Sequence, residues 1–303
     1  MLDVEALERR YRRHCSHHPS QRGGRRICES AVVRAAVVGH VEWVEFARVE
    51  ELPRAGAVVH AHETWAAAGG GGAVAALQLA RLADETLLFT ALGSDPLGER
   101  TLAELEGKGV RVHAEWRDAP HRRAFCHVDG AGERTITVLD EKLRPRGGDA
   151  SLPWEELEHV DALYFVSGDV AALRLARRAR IVVATSRELA TLQAAGVELD
   201  CVVGSGDDDR ERYRADGVEP APRVVVTTAG ALGGWAQPGG PYEAAQPRGK
   251  VADAYGCGDC FAAGLTYALA RGDEVGGALA FGAQCAAGAL TGRGVHAVTP
   301  PPL

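Results

Sequence analysis

A short segment near the C-terminus, residues 253–259 with the sequence D-A-Y-G-C-G-D, combines a glycine-spaced turn with two aspartates. An apolar run follows, so the pattern predicts a helix that begins at the turn. Unpaired N–H groups and the helix dipole favour an anion there, which makes Gly256, Cys257 and Gly258 a candidate anion hole. Asp259 could take a proton from a hydroxyl that attacks a phosphoryl group held at this point. An ordinary N-cap role for Asp259 is the structural alternative.

The elements that must position this segment follow a β/α rhythm from residue 35 onward, which predicts an α/β fold with a mostly parallel sheet and helices on both faces. The predicted strands lie at 35–39, 86–91, 162–166, 181–184, 201–204 and 224–227. The predicted helices lie at 73–82, 95–107, 170–177, 187–195, 207–213, 259–270 and 274–291.

Two stretches do not fit this rhythm. Residues 41–47 and 57–62 alternate enough for two exposed strands, and residues 110–116, 123–128 and 134–139 read as further short strands. We therefore expect a small separate sheet built from the stretches 41–62 and 114–139.

Composition limits the classes of protein. The net charge is −7, while residues 1–34 hold eight Arg against four acidic residues, so the rest of the chain is more acidic still. A basic, flexible N-terminal arm at 1–34 is predicted, followed by one domain at 35–303. An acidic body argues against nucleic acid as the principal partner. No apolar run reaches membrane-spanning length, and residues 1–26 lack an apolar leader, so a cytoplasmic enzyme with no membrane partner is expected.

The seven cysteines are odd in number and scattered, which indicates free thiols in a reducing compartment. Residues 257–260 formally match a C-x-x-C redox motif, but no thioredoxin-like context surrounds them, so a redox role is not expected. A zinc site is not expected either, because no second cysteine pair has metal-finger spacing. The helix start at Cys257 predicts a lowered thiol pKa and sensitivity to oxidation.

Five motifs in order resemble the PfkB (ribokinase-like) carbohydrate kinase family over residues 35–295. Residues 253–264 are similar to its D-T-x-G-A-G-D-x-F-x-x-G signature, and the Gly69-Gly70 turn with residues 73–82 is similar to its first signature. Residues 93–98 match G-x-D-x-x-G, residues 132–135 match G-x-R-T, and residues 228–233 match T-x-G-x-x-G.

The resemblance implies a three-layer ribokinase-like (Rossmann-like) α/β domain with a small β-lid, which uses ATP and Mg²⁺ to phosphorylate a hydroxyl of a small sugar or sugar-like acceptor. Asp259 would be the general base beside the anion hole. A requirement for a monovalent cation and a homodimer through the lid are left open. The implied ATP-binding residues are Ser205, Thr228, Gly230, Gly233 and Asp253, and the implied acceptor contacts are His40, Glu42, Gly69, Gly70, Arg123 and Arg134, with Arg122 as a further candidate.

Three motifs depart from the family pattern. Val74 replaces the Asn of the first signature, and Glu42 and Val44 stand where sugar-binding Asn and Asp are usual. The N-x-x-E that helps to organise Mg²⁺ and phosphate becomes S-x-x-D at 205–208, with Asp208 as the indirect metal residue. These departures predict an acceptor different from that of ordinary ribokinases.

Other functions stay open at this point. A nucleoside kinase is the nearest, and a kinase-like sensor with little turnover is another, although the retained Asp259 argues against it. A dinucleotide-binding dehydrogenase would need a G-x-G-x-x-G after the first strand, which is missing. The absence of G-x-x-x-x-G-K-[ST] excludes a P-loop kinase.

Overall fold

The computed structural model describes residues 32–214 and 217–297. Of the arm predicted at residues 1–34, only residues 32–34 are described, and Arg34 already belongs to the first strand. Thirteen strands and six α-helices are described in this part of the chain. The strands are β1 (Arg34–Val38), β2 (Glu42–Arg48), β3 (Glu63–Gly69), β4 (Glu85–Gly93), β5 (Arg111–Arg117), β6 (Arg123–Val128), β7 (Arg134–Val138), β8 (Ala162–Phe165), β9 (Ile181–Thr185), β10 (Cys201–Ser205), β11 (Val224–Thr228), β12 (Gly234–Gln237) and β13 (Gly240–Tyr242). The helices are α1 (Gly70–Leu79), α2 (Pro96–Glu106), α3 (Val170–Ala176), α4 (Leu189–Ala195), α5 (Cys257–Arg271) and α6 (Val275–Ala289).

The large sheet has nine strands in the order β13-β12-β11-β10-β9-β8-β1-β4-β5. The strands from β11 to β5 run parallel, and β12 and β13 add an antiparallel edge. Along β1, Ala35 and Val37 belong to one buried core, while Ala36 and Val38 belong to the core on the opposite face. This alternation is the period-2 geometry of a strand covered on both faces, so the predicted three-layer α/β fold is confirmed.

The small sheet has four strands in the order β3-β2-β6-β7. Its second strand was misplaced in the sequence prediction. Residues 57–62 are exposed and form no strand, whereas β3 at 63–69 pairs with β2 so that Glu42 lies opposite Gly69. The real strand has the sequence E-T-W-A-A-A-G, and three alanines give it a weak β signal.

Residues 114–117 were also assigned to the small sheet, which is wrong. They belong to β5, which pairs parallel with β4 at the edge of the large sheet. Helix α2 makes the crossover between these two strands, as a parallel connection requires. The start of α2 agrees with the sequence, since the Asp95 carboxylate accepts hydrogen bonds from the N–H groups of Leu97 and Gly98 at 3.0 and 2.9 Å.

The helix predicted at 207–213 does not form. Asp207 N–H donates to Ser205 Oγ at 3.2 Å, and Arg210 N–H donates to Asp208 Oδ1 at 2.9 Å. Such side-chain contacts offer the backbone an alternative to the helical hydrogen bonds, so the segment is a series of turns.

Candidate active site

Most residues of the candidate site lie just after the carboxyl ends of the parallel strands, along one edge of the large sheet. Open α/β sheets bind their ligands at this edge. These residues are His40 after β1, Ser167 after β8, Glu188 after β9, Asp208 and Glu211 after β10, and Gly230 after β11.

Asp259 lies between the first turns of α1 and α5. A Cβ atom added to Gly71 would lie 3.0 Å from Asp259 Oδ1 and 2.8 Å from Val166 Cγ1, so the carboxylate packs directly against the start of α1. The side chain is in the first turn of α5 and remains partly accessible. A base in this position can reach a ligand in the cleft while the two helix starts fix its location.

The surroundings of Asp259 raise its pKa to about 6. Burial is the main cause, and the nearby charge of Glu211 adds to it, while Arg134 and Arg187 act in the opposite direction. A carboxyl group with a pKa near the working pH is well suited to accept a proton during a reaction.

The raised pKa gives a prediction for stability. Ionised Asp259 costs stability above pH 6, and this cost disappears below pH ~4, where the carboxyl is protonated in both the folded and the unfolded chain. Asp259→Asn removes a cost of about 1–3 kcal/mol, so thermal unfolding at pH 8 should show a melting temperature raised by roughly 2–8 °C. The gain should fade between pH 6 and pH ~4.

Asp273→Asn is the matched control, because Asp273 pairs with Arg271 at 2.7 Å just beyond the far end of the same helix. An unchanged melting temperature for Asp259→Asn at pH 8, or a gain that persists in full at pH 4, would contradict the raised pKa.

The turn before α5 has the geometry of an anion hole. Gly256 has a positive φ of 74°, and a Cβ there would lie 2.7 Å from Val74 Cγ1, so only glycine fits. Val74, which stands in place of the family's Asn, thus packs against this turn. No side chain caps the helix start, and a Cβ on Gly258 would meet nothing within 4 Å. The Cys257 N–H makes a long 3.5 Å contact with the Ala254 carbonyl oxygen, and no side chain competes with an anion for the first N–H groups of α5.

The expectation of a lowered thiol pKa at Cys257 is wrong. Burial raises the pKa of this thiol, and neighbouring Asp259 adds to the rise, while Arg134 opposes it. The helix start does not overcome the loss of solvent and the adjacent carboxylate. Cys257 is therefore a poor nucleophile at neutral pH. The cysteines at 126, 201, 257, 260 and 285 are free thiols, as predicted.

Asp253 stabilises the turn before α5 from its buried side. Its carboxylate is buried and accepts a hydrogen bond of 2.7 Å from the N–H of Tyr255. The Tyr255 hydroxyl in turn accepts a 2.8 Å hydrogen bond from the N–H of Gly70. These contacts join the turn before α5 to the start of α1, so Asp253 supports the site rather than lining it.

The predicted acceptor contacts His40, Glu42 and Gly70 meet at the start of α1. His40 donates its N–H to Ser167 Oγ at 2.9 Å, and its carbonyl accepts the N–H of Gly72 at 3.0 Å. Glu42 is buried, pairs with Arg122 Nε at 2.7 Å, and would lie 3.1 Å from a Cβ on Gly70. The space around Gly69 is smaller still, because a Cβ atom added there would lie 2.5 Å from Tyr255 Oη.

The two arginines of the small sheet that were predicted to contact the acceptor, Arg123 and Arg134, lie in different surroundings. Arg134, at the start of β7, is exposed yet close enough for its charge to lower the pKa values of Asp259 and Cys257. Arg123 instead pairs with Asp140 at 3.2 Å. Of the two adjacent candidates, Arg122 and not Arg123 therefore pairs with Glu42.

The predicted nucleotide residues lie at the ends of β10 and β11. Gly230 and Gly233 have positive φ values of 52° and 88°. A Cβ on Gly233 would lie 2.1 Å from the carbonyl oxygen of Tyr242, so this turn requires glycine. Thr228 Oγ1 donates to the Gly204 carbonyl at 3.3 Å, which joins the strand ends next to Ser205.

Glu211 was missed by the sequence analysis. Its carboxylate accepts the N–H of Ser205 at 3.1 Å and forms an ion pair with Arg187, which also pairs with Asp208 at 3.0 Å. Its charge raises the pKa of Asp259, whereas Asp208 is not among the main charges acting there. Glu211, three residues beyond the predicted S-x-x-D, is therefore the acidic neighbour of Asp259.

Within residues 32–214 and 217–297, no group of three or more His, Cys, Asp or Glu side chains is arranged to hold a metal ion. The same part of the chain contains no helix long and apolar enough to cross a membrane.

Comparison with solved structures defines the class of fold. The ribokinase of Arabidopsis thaliana, determined in complex with ribose and ATP, superimposes with a TM-score of 0.66 over 89% of this chain and 96% of that one, at 18% identity. The fold is therefore ribokinase-like.

The sequence comparisons give the family. The model of the pfkB family carbohydrate kinases matches residues 34–182 and 168–301, so the chain belongs to this family of sugar kinases, which transfer a phosphoryl group to an alcohol. A 2-dehydro-3-deoxygalactonokinase of Haloferax volcanii is 27% identical over 75% of this chain and 82% of its own length. An ATP-dependent ribose-1-phosphate kinase of Halopiger xanaduensis is 28% identical over 86% and 92%.

Proposed function

We propose that this sugar kinase uses ATP to phosphorylate a hydroxyl of a small sugar-like acceptor, with Asp259 as the general base. The observation that carries the proposal is the position of the Asp259 carboxylate between two helix starts, with its pKa raised to about 6. Family membership supports phosphoryl transfer to an alcohol, and two relatives are named as kinases of sugar derivatives.

In the proposed reaction, one group of residues binds the acceptor and Asp259 removes its proton. The acceptor lies against His40, the Glu42–Arg122 pair and the turn at Gly70. Asp259 accepts the proton of the acceptor hydroxyl while the hydroxyl oxygen forms a bond to the γ-phosphorus of ATP. The bond between that phosphorus and the oxygen that links it to the β-phosphate breaks. ADP carries away the electron pair of the broken bond, and the proton is left on Asp259.

The anion hole at Gly256, Cys257 and Gly258 holds the transferred group during this step. Its N–H groups are preorganised by the positive φ of Gly256, so they stabilise developing charge without rearrangement. Arg134 and Arg187 supply positive charge close to Asp259 and help to hold the phosphoryl oxygens.

We assign the nucleotide to the ends of β10 and β11, where Ser205, Thr228, Gly230 and Gly233 line the edge of the sheet. The glycine-only turn at Gly233 allows a ligand to approach the backbone closely. The Arabidopsis thaliana ribokinase with the same fold was determined in complex with ribose and ATP, which supports ATP as the nucleotide.

Glu211 and Asp208 are the residues that would hold Mg²⁺, most directly through water and the nucleotide phosphates. Mg²⁺ keeps several waters and uses one or two carboxylates in such sites, which fits the pair after β10 and the lack of a three-residue cluster among the described residues. When bound, the ion neutralises charge on the phosphate oxygens.

The small sheet would act as a lid over the acceptor. Its β6–β7 turn is tied to the anion-hole segment by a 3.0 Å hydrogen bond from the Ala254 N–H to the Gly132 carbonyl. Its outer strand β7 is exposed, including Ile136 and Val138, at 40% and 48%. An open strand edge of this kind supports, as a further proposal, a homodimer formed through the lid.

The test is ADP release by the purified full-length chain with ATP and Mg²⁺, across a panel of neutral sugars, sugar acids, sugar phosphates and nucleosides. At least one sugar-like acceptor should raise the rate well above the acceptor-free rate. A response to nucleosides alone would replace the proposal with a nucleoside kinase, and no response to any acceptor would overturn it.

A further inference from the structure

Two cations, Lys142 and Arg144, lie on the segment between β7 and the short 3₁₀ helix at 154–159. Their place is fixed by Glu188, which follows β9: Lys142 Nζ is 3.3 Å from Glu188 Oε1, and Arg144 Nη1 is 3.7 Å from Glu188 Oε2. Glu188 is buried, and Lys142 is 22% exposed. Neither cation belongs to a motif that the sequence analysis used.

His40 joins this pair of cations to the reaction centre. Its Nδ1 lies 3.1 Å from Ser167 Oγ, and its carbonyl accepts the N–H of Gly72 in the first turn of α1. The adjacent residue in that turn, Gly71, is the one against which Asp259 packs. Glu188 follows β9, which pairs with β8, so the two cations held by Glu188 lie at the same edge of the sheet as Ser167 and His40.

The carboxylates of this region are unevenly distributed among its cations. Arg122 has Glu42 at 2.7 Å, and Arg187 has both Asp208 and Glu211. Lys142 and Arg144, in contrast, share the single carboxylate of Glu188 among the ion pairs of the described residues. One positive charge beside the acceptor thus lacks its own carboxylate.

The positive charges of this region also lower the pKa of His40. Its pKa is held well below the ordinary value, first by burial and then by the charges of Lys142, Arg122, Arg144 and Arg187. All four of these charges are positive. His40 is therefore neutral at pH 7 and can hydrogen-bond a hydroxyl, while the surrounding charge favours an anion.

Resting on the proposed kinase function, we infer that the acceptor carries an anionic group, a carboxylate or a phosphate, that binds to Lys142 and Arg144 while its hydroxyl faces Asp259. A flexible ammonium and a guanidinium together suit either kind of oxyanion. A neutral sugar would leave the shared positive charge without a partner, so the site selects for the charged acceptor.

The test compares kcat/KM for a neutral aldose, the corresponding aldonate and the corresponding aldose phosphate. The wild-type chain should prefer an anionic acceptor, and whichever of the two acids is better identifies the anion as carboxylate or phosphate. In Lys142→Gln the ratio of kcat/KM for that acceptor over the neutral one should fall by about tenfold or more, mainly through KM, because a charge-assisted contact is lost.

Two further variants make the result specific. Lys142→Arg keeps the charge and should keep most of the preference. Lys108→Gln is the control, because Lys108 forms a surface pair with Glu104 at 2.8 Å, and it should leave the ratio unchanged. If Lys142→Gln is poorly folded, Arg144→Gln takes its place with the same expected loss.

Equal or better use of the neutral aldose by the wild-type chain would overturn the inference while leaving the kinase function intact, as would an unchanged ratio in both Lys142→Gln and Arg144→Gln. A failure to phosphorylate every acceptor would overturn the kinase proposal itself, and this inference with it.

Discussion

Asp259→Asn is expected to lower kcat by at least ~10²-fold, which is the scale of lost general-base catalysis. The amide keeps the shape of the side chain beside Gly71 but cannot accept the hydroxyl proton. ATP affinity should change little, because the anion hole consists of backbone N–H groups that the substitution leaves in place. Steady-state kinetics at saturating substrates and equilibrium titration with ATP measure the two quantities separately.

Asp273→Asn at the far end of the same helix is again the control, and it should have nearly wild-type turnover. The melting temperature of Asp259→Asn at pH 8, which is expected to rise, is measured on the same sample and shows whether the variant is folded. Wild-type turnover at saturating substrates would remove Asp259 from the role of base.

Gly71→Ala is expected to lower kcat/KM by about 10–10²-fold, because small displacements of reacting groups have large kinetic effects. The added methyl would lie 3.0 Å from Asp259 Oδ1 and 2.8 Å from Val166 Cγ1, so the carboxylate or the start of α1 must move. The φ of Gly71 is not positive, so the cost is one of space rather than of backbone conformation.

Gly276→Ala is the matched control for this substitution, because a Cβ there meets nothing within 4 Å and the residue lies in the first turn of α6. It should leave kcat/KM unchanged. Unchanged kcat/KM in Gly71→Ala would show that the close packing between Gly71 and Asp259 does not position the base.

The parts of the site that are local in sequence could be predicted. The segment 253–259 carries the glycines of the turn and the start of the helix in one continuous stretch, so its spacing predicted that a helix begins there. The parallel sheet followed in the same way from apolar strands that alternate with helical periodicity. In both cases the signal lies within a few residues of the structure that it specifies.

The parts that depend on tertiary contacts could not be predicted. The segment at 207–213 has a composition that allows a helix, but the side chains of Ser205 and Asp208 accept hydrogen bonds from backbone N–H groups and hold it in turns. Glu211 is thereby brought back to Ser205. Strand β3 was missed because its alanines become a strand only opposite β2. Lys142 lies in a segment without periodicity, and only Glu188 fixes its place.

The most direct test of the account follows the γ-phosphoryl group itself, with ATP labelled at that position and an acceptor from the panel. The wild-type chain should transfer the label to the acceptor with one ADP formed per labelled product, and Asp259→Asn should transfer at least ~10²-fold more slowly. Label that appears only as free phosphate, or transfer by Asp259→Asn at the wild-type rate, would contradict a sugar kinase with Asp259 as its base.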